Sequence, residues 1–345
     1  MTSLRIWFDA LTAKQARIAS ILYLEGRQRG IDVEITCRNY DYVENIFKLY
    51  GVPHKCVGMH GSDPMDKLRK GFERSLLLLD VLGEFDVHVS LTSPDAFRIA
   101  FGLNKPIIAI TDTVHSTFVN KLTLPLASLI ILPNALPHSD ILEYVPCDER
   151  RAIKWFNGLF EIMWIKRFSP KVEEIRALGL EPDEYAIFRF EESLASYYGY
   201  GDKLNLGIKA VEELVRRGLK VVVFPRYDHQ AKAIESKFDG NDVVIPRAPL
   251  DGLNLAYHAA MVVTGGSTFS TEAALLGTPA ISYFPTPYYI DDYLIKLGFP
   301  LRRCRPEELL GCISTMDLTK ERPSLGSLVD PTDLILDAAR SFSRS

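Results

Sequence analysis

The hydrophobic pattern of this 345-residue chain alternates between strand-like and helix-like periods, breaks once, and then starts again. Short apolar runs at 4–8, 33–37, 54–57, 86–91, 106–111 and 129–132 read as strands. Between them, 14–29, 40–50, 64–82 and 94–102 read as helices. The first has Ile18, Ile21 and Leu22 at helical spacing with Gly30 behind it, and the second is closed by Gly51. This alternation leaves few solutions, because successive strands joined by helical crossovers form a parallel sheet covered by helices. The stretch 133–183 breaks the rhythm with Pro133, Pro137, Pro146, Pro170 and Pro182. Strand 185–190, helix 203–217 stopped by Gly218, strand 220–224, helix 228–238 and strand 242–245 then restart it. The sequence therefore predicts an α/β chain of two Rossmann-like, doubly wound parallel-sheet domains facing a cleft. Residues 1–165 and 166–330 form the two domains, and a C-terminal helix within 331–345 docks back on the first.

The net charge of −4 gives no electrostatic footprint for a nucleic-acid partner. The basic groups Lys166 with Arg167, and Arg302 with Arg303 and Arg305, read as solvated faces. The five cysteines show no CxxC pair, and with seven scattered histidines there is no structural-zinc spacing, so no metal site is expected. A reducing, cytoplasmic setting is the expectation. No signal peptide or transmembrane segment is expected, since the apolar runs 76–82 and 122–132 are too short to span a bilayer. The second of these runs reads as core or as a membrane-facing patch.

Residues 261–284 carry the strongest functional signal. They read strand, glycine turn, helix, strand, with Gly265 and Gly266 at the turn and Ser267, Thr268, Ser270 and Thr271 crowding the helix start. Glycines allow a sharp turn and close approach of a ligand. The unpaired N–H groups and positive dipole end of a helix favour a phosphate. Glu272 lies about one turn in, placed to accept from ribose hydroxyls. The plain alternative is an ordinary βαβ turn with a Ser/Thr cap.

Ligands of open α/β sheets bind outside the carboxyl ends of the strands. The loops there carry Asp9, Thr12 and Lys14; Thr92, Ser93 and Asp95; and Asp112 with His115. A carboxylate and an imidazole three residues apart suit general acid–base work. The alternative is that Asp112 caps a short helix and His115 lies on its surface. In the second half, Arg189 and Arg226 are candidates for bidentate phosphate contacts. Arg189 could instead pair with Glu191 or Glu192. Asp228 and His229 follow Arg226, while Tyr197, Tyr198 and Tyr200 lie in a loop that either flexes over the ligand or is anchored by packing. Asp251, in the Pro249–Leu253 segment, either helps receive a base edge or caps the next helix.

The second half resembles the nucleotide-binding domain of GT-B enzymes, specifically the non-hydrolysing UDP-N-acetylglucosamine 2-epimerases and the MurG-type glycosyltransferases. Pro249, Leu250, Asp251, Leu253, Tyr257, Gly265, Gly266, Glu272, Leu276, Gly277 and Pro279 carry the likeness. Over 4–340 the chain resembles a prokaryotic family known as domain of unknown function 354. That likeness rests on Ile6–Asp9, Gly58-x-His60-Gly61, Ala100–Leu103, Asp112-Thr113-x-His115, Gly158-Leu159-x-Glu161, Phe188–Phe190, Pro225-Arg226 and the glycine segment through Pro279. The resemblance implies a GT-B-like fold, with Glu272 on the ribose and Gly266–Thr268 on the diphosphate. The first half departs from the epimerase pattern. It has Leu11-Thr12-Ala13-Lys14-Gln15 where an arginine-bearing Gly-Thr-Arg-Pro-Glu is usual, and Leu91–Asp95 where Gly-Asp-Thr-Thr is usual.

The expected function is a nucleotide-sugar-dependent enzyme, first a metal-independent GT-B glycosyltransferase using a UDP-sugar as substrate, with no further cofactor. Asp9, Asp112 and His115 are the candidate catalytic groups. Gly265, Gly266, Ser267, Thr268, Glu272, Arg189, Arg226 and Asp251 are the candidate nucleotide-binding residues. The acceptor is open, a lipid-linked molecule or a glycan. A UDP-sugar 2-epimerase-like isomerase and a non-catalytic nucleotide-sugar binder are the alternatives.

Overall fold

A computed structural model describes residues 3–40, 42–145, 152–191, 203–247, 250–284, 286 and 288–342. Glu192, Tyr197, Tyr198, Tyr200 and Pro249, named above, lie outside the described residues. The chain divides into two units, residues 1–164 with 326–345, and residues 165–325.

The first unit is built on seven parallel strands: β1 (Arg5–Ala10), β2 (Asp32–Asn39), β3 (Lys55–Met59), β4 (Val87–Ser90), β5 (Ile107–Ile110), β6 (Leu129–Pro133) and β7 (Ile153–Phe156). Their order is β3-β2-β1-β4-β5-β6-β7. The inner strands β4, β5 and β6 are buried along their whole length, as a sheet covered on both faces requires. The run 122–132 is mostly this core. Within it β6 is enclosed, while Leu122 is exposed. Strand β7, inside the proline-rich break, was not visible as a period because it has only four residues and is partly exposed.

The second unit holds β8 (Tyr185–Arg189), β9 (Lys220–Phe224), β10 (Val243–Val244), β11 (Met261–Thr264), β12 (Ala280–Ser282) and β13 (Leu301–Arg303), in the order β10-β9-β8-β11-β12-β13. Phe188, Val221, Val223, Val263 and Ile281 form its core with the helices Lys203–Arg216 and Leu309–Thr315. In both sheets the strand order reverses once, between β1 and β4 and between β8 and β11. Such a reversal opens a crevice at the carboxyl edge, where ligands of this architecture bind.

The helix Thr332–Phe342 belongs to the first unit. Val329 bridges to Gly158, Asp333 pairs with Arg29 at 2.5 Å, and Ile335, Leu336, Ala338 and Ala339 are buried.

Four of the five cysteines are paired, Cys37 with Cys56 and Cys304 with Cys312. Cys37 and Cys56 are direct register partners on β2 and β3. Linear spacing could not show this pair, because the crossover helix between the strands separates the two residues by 19 positions.

Candidate functional site

The carboxyl edge of the first sheet gathers two buried charge clusters. At the β1/β4 reversal, Asp9 is fully enclosed and both of its carboxylate oxygens are engaged. Thr36 Oγ1 and Arg74 Nη2 each donate to Oδ1 at 2.6 Å, and Ser93 Oγ donates to Oδ2 at 2.6 Å. Burial alone would raise the Asp9 pKa. The charge of Arg74, with the hydrogen bonds from Arg74, Ser93 and Thr36, outweighs it and holds the carboxyl below its ordinary value. Arg74 also donates to Val57 O and Asp95 Oδ2, each at 3.1 Å. Burial raises the Asp95 carboxyl against the opposing pull of Arg74. The network continues inward, where Trp7 Nε1 donates to Thr36 Oγ1 at 2.8 Å and the Trp7 ring lies 4.5 Å from His88. Burial pushes His88 down to about 4, so it is neutral.

Between β4 and the helix Pro94–Gly102, Thr92 has φ of 51°. A β-branched residue in the left-handed region is strained, and such strain persists only where neighbours enforce it. Here Gln15 Nε2 holds Leu91 O at 2.9 Å on one side, and Ser93 is tied to Asp9 on the other.

The second cluster joins β1, β5 and the segment after β7. Lys14 Nζ pairs with both Asp112 and Glu161, and all three groups are almost wholly enclosed. The second oxygen of Asp112 accepts from Thr113 Oγ1 at 3.1 Å, and Asp112 caps no helix, since Ser116 precedes the helix Thr117–Thr123. Glu161 Oε2 is buried without a hydrogen-bond partner. Burial raises the Glu161 pKa, Lys14 opposes it, and Asp112 adds to it. His115 is exposed, and its imidazole is shifted down by partial desolvation against the raising charge of Asp112. Sequence reasoning had Asp9, Lys14, Asp112 and His115 at the edge but gave no role to Arg74 or Glu161. The lone acid inside the run Leu159–Ile165 was the available signal for Glu161, whereas Arg74 gave none, since on its helix it falls opposite the apolar residues Leu68, Phe72 and Leu76.

In the second unit, the β8/β11 reversal brings Arg189, Glu191 and the Gly265–Gly266 turn together. Gly265 N donates to Arg189 O at 3.3 Å, and Tyr283 Oη donates to Glu191 Oε2 at 2.9 Å. Neither glycine has a positive φ. Gly265 is required for a different reason, since a Cβ there would lie 2.5 Å from Glu191 Cβ and 2.8 Å from its Cα. A Cβ on Gly266 would meet Arg226 Nη2 at 3.7 Å, so the guanidinium stands over the turn. Gly266 is the N-cap of the nine-residue helix Ser267–Leu275, and its own N–H is taken by Thr264 Oγ1 at 3.0 Å. The first-turn N–H groups, from Ser267 to Phe269, have no partner inside the helix by its geometry. The Ser267 side chain lies outside the described residues, Thr268 is half-buried, and Glu272 is buried on the second turn. Arg226 is steadied by Gln230 Oε1 on its backbone N–H at 2.8 Å, and its Nε donates to Phe190 O at 3.3 Å. Asp251 is the N-cap of the helix Gly252–His258, accepting from Leu253 N at 3.1 Å. Arg303 pairs with Asp291 and Asp292, and Arg305 with Glu308.

Two doubly wound parallel sheets, each with polar residues at its reversal, define a GT-B-like protein. Residues 4–343 match the family described as "Protein of unknown function (DUF354)", and the chain belongs to that family. It is 30% identical over 352 residues to the uncharacterized protein MJ0665 of Methanocaldococcus jannaschii, a match covering 99% of each chain. Among solved structures it is similar to the UDP-GlcNAc 2-epimerase of Methanocaldococcus jannaschii in complex with UDP-GlcNAc and UDP. The TM-score is 0.74 at 16% identity, covering 99% of this chain and 100% of that one. It is similar also to S. aureus MnaA with UDP, with a TM-score of 0.72 at 12% identity, covering 99% and 97%. MurG of Acinetobacter baumannii aligns with a TM-score of 0.52 at 16% identity, covering 98% and 99%.

Proposed function

We propose that the protein is a nucleotide-sugar-dependent enzyme, a metal-independent glycosyltransferase that takes a UDP-sugar as donor. The observation that carries the nucleotide class is the Gly265–Gly266 turn. It sits at the strand reversal of the second unit, opens a helix, and has the Arg226 guanidinium beside it. Oriented N–H groups and a cation suit a diphosphate in the ground state and oppose the charge that develops as it leaves. Glu272 suits the ribose hydroxyls. The likeness of 249–279 to UDP-sugar enzymes supports the uridine nucleotide, as does the presence of UDP in similar folds.

The choice of transferase rests on the first unit. Asp9 and Asp112 have both oxygens committed, whereas His115 is exposed, and partial desolvation shifts its imidazole down against the charge of Asp112. One accessible base fits transfer: an acceptor hydroxyl gives its proton to His115, its oxygen attacks the sugar's anomeric carbon, and the bond to the β-phosphate oxygen breaks. The acceptor is a lipid-linked molecule or a glycan.

A specific observation favours the epimerase reading as second. Lys14, Asp112 and Glu161 together place three ionisable groups at one edge, which elimination and re-addition would use. Calorimetric titration with UDP tests the nucleotide site, with Arg226→Ala and Glu272→Gln each expected to weaken binding about tenfold or more. Unchanged affinity in both sinks it. Incubation of the UDP-sugar alone in deuterated water then separates the chemistries, since only an epimerase exchanges a sugar carbon-bound hydrogen with solvent. Binding without turnover in any acceptor screen returns the non-catalytic binder.

A further inference from the structure

The crossover between β2 and β3 carries side chains that neither charge cluster uses. Its helix, Val43–Tyr50, ends at Gly51, whose φ of 64° turns the chain back through Pro53 towards β3. His54 and Cys56 are two positions apart where β3 begins, and side chains two apart along a strand share a face. Among the described residues, a carboxylate oxygen of Glu44, a ring nitrogen of His54 and the sulfur of Cys56 lie within 4.8 Å of one another. Carboxylate, imidazole and thiolate are the donor types that zinc takes, and three from the protein leave a fourth position for water. Hard cations such as Mg²⁺ and Ca²⁺ take oxygen donors instead.

Two contacts orient the imidazole. Val52 O can only accept, so its 2.9 Å contact with His54 Nδ1 places the proton there and leaves the lone pair on Nε2. A backbone carbonyl on the other ring nitrogen is the habitual support of a metal-ligating histidine. The ring is also stacked on the buried Phe47, with centroids 4.7 Å apart and 24° between planes. The sulfur is the donor under control, because Cys56 is bonded to Cys37, its register partner on β2. Cys37 is fully enclosed and stands outside the group of three, so it serves as the lock. We propose that Glu44, His54 and Cys56 bind a zinc ion when the Cys37–Cys56 bond is reduced, and release it when the bond forms again.

A dithiol supplies the two electrons and two protons that turn the Cys37–Cys56 bond into two thiols, and itself becomes a disulfide. Zinc then takes the Cys56 sulfur lone pair, and the thiol proton goes to solvent. An oxidised dithiol reverses both steps. The two sulfurs join, zinc leaves, and two electrons return to the dithiol with one proton from Cys37 and one from solvent. Little holds Glu44 back, since its ion pair with Lys48 at 3.4 Å is an exposed contact between neighbouring turns. Zinc bonds of about 2.0–2.3 Å put donors about 3.5 Å apart, so each side chain moves by about 1 Å or less to close the site. Each state therefore keeps one tie at this edge: a covalent tie from β3 to β2, or a metal tie from β3 to the helix Val43–Tyr50.

Calorimetric titration of the full chain with ZnCl₂ tests the site, on oxidised protein and on protein reduced with dithiothreitol and desalted under argon. Zinc should bind the reduced protein and not the oxidised protein at the same concentrations. Glu44→Gln and His54→Ala, at partly exposed positions, should each weaken binding about tenfold or more, since losing even an outer partner of a ligand costs about 10–100-fold. Cys37→Ser should bind zinc without reduction, and Cys56→Ser should bind none in either state. Titration with CoCl₂ reads the sulfur itself. Thiolate-to-cobalt charge-transfer absorption should appear in the reduced wild type and be missing from reduced Cys56→Ser. Dithiothreitol can also open Cys304–Cys312, and the variants tell that site from this one. Full zinc binding by reduced Cys56→Ser, or by both Glu44→Gln and His54→Ala, overturns the proposal. So does equal binding by the oxidised and reduced wild type, or a reduced wild type that binds no zinc.

Discussion

Replacing Arg74 with Met keeps the aliphatic stem that packs against Gly58 and removes the guanidinium that donates to Asp9, Asp95 and Val57 O. Asp9 is then left fully buried with only Thr36 and Ser93 as donors. Leaving one half of a buried ion pair uncompensated costs about 3–5 kcal/mol. The cost should depend on pH in a definite direction. In the wild type the Asp9 pKa is lowered, so the group contributes stability above its unfolded value of 3.8 and loses it as pH falls. In the variant burial is opposed only by the hydrogen bonds from Ser93 and Thr36, so the folded pKa should rise above that of the unfolded chain and the penalty should grow as pH rises. The gap between wild type and variant is therefore largest near pH 8 and narrows towards pH 5. Urea unfolding followed by tryptophan fluorescence reads this in the correct unit, because all three tryptophans, Trp7, Trp155 and Trp164, lie in the first. Adding Asp9→Asn to the variant should recover part of the loss, since the uncompensated charge is then gone. A gap under about 1 kcal/mol, a gap equal at both pH values, or strict additivity in the double variant would refute the reasoning.

Other consequences follow from single sites. Gly265→Ala should lower the melting temperature of the second unit, with a cost of about 1–3 kcal/mol from overpacking against Glu191, while Gly266→Ala should leave stability unchanged; equal melting temperatures would refute the packing argument. Thr92→Gly should stabilise the first unit by about 1 kcal/mol in urea titrations by relieving its left-handed φ of 51°. His88, at about 4 folded against 6.5 unfolded, should cost the fold up to roughly 3 kcal/mol as pH falls through that window, and His88→Gln should flatten the pH profile of unfolding there. If His115 is the base, turnover should fall on the acid side below its ordinary value. Asp112→Asn should move that limb to lower pH, since the charge that raises the imidazole is lost, and an unmoved limb removes His115 from the role.

The architecture was legible because helix and strand periods differ, and because Gly30, Gly51 and Gly218 stop helices where the positive φ they adopt is needed. The strand reversals were not, since strand order is a property of the folded sheet. The same limit applied to the charge clusters. Asp9 and Arg74 are 65 residues apart and Lys14 and Glu161 are 147 apart, and only parallel register brings them together. Asp112 looked like an acid–base group or a helix cap; it caps no helix, and it is paired with Lys14. Gly265 was singled out for a sharp turn and close ligand approach, whereas what requires glycine there is the closeness of Glu191. Helices 289–296 and 309–315 went unread because each makes only about two turns, whereas the longer C-terminal helix was read.

The first unit needs residues 326–345, which leave the ribosome only after the whole of residues 165–325. Synthesis is therefore out of step with structure. The second unit is contiguous and can complete its sheet while the first still lacks Val329 against Gly158 and the helix Thr332–Phe342 against Arg29. During that interval the earlier-made half is an open structure with an uncovered apolar seat. A released chain ending at residue 325 should then show a protease-resistant second unit joined to a digestible first one, the reverse of the usual order in which the N-terminal domain matures first.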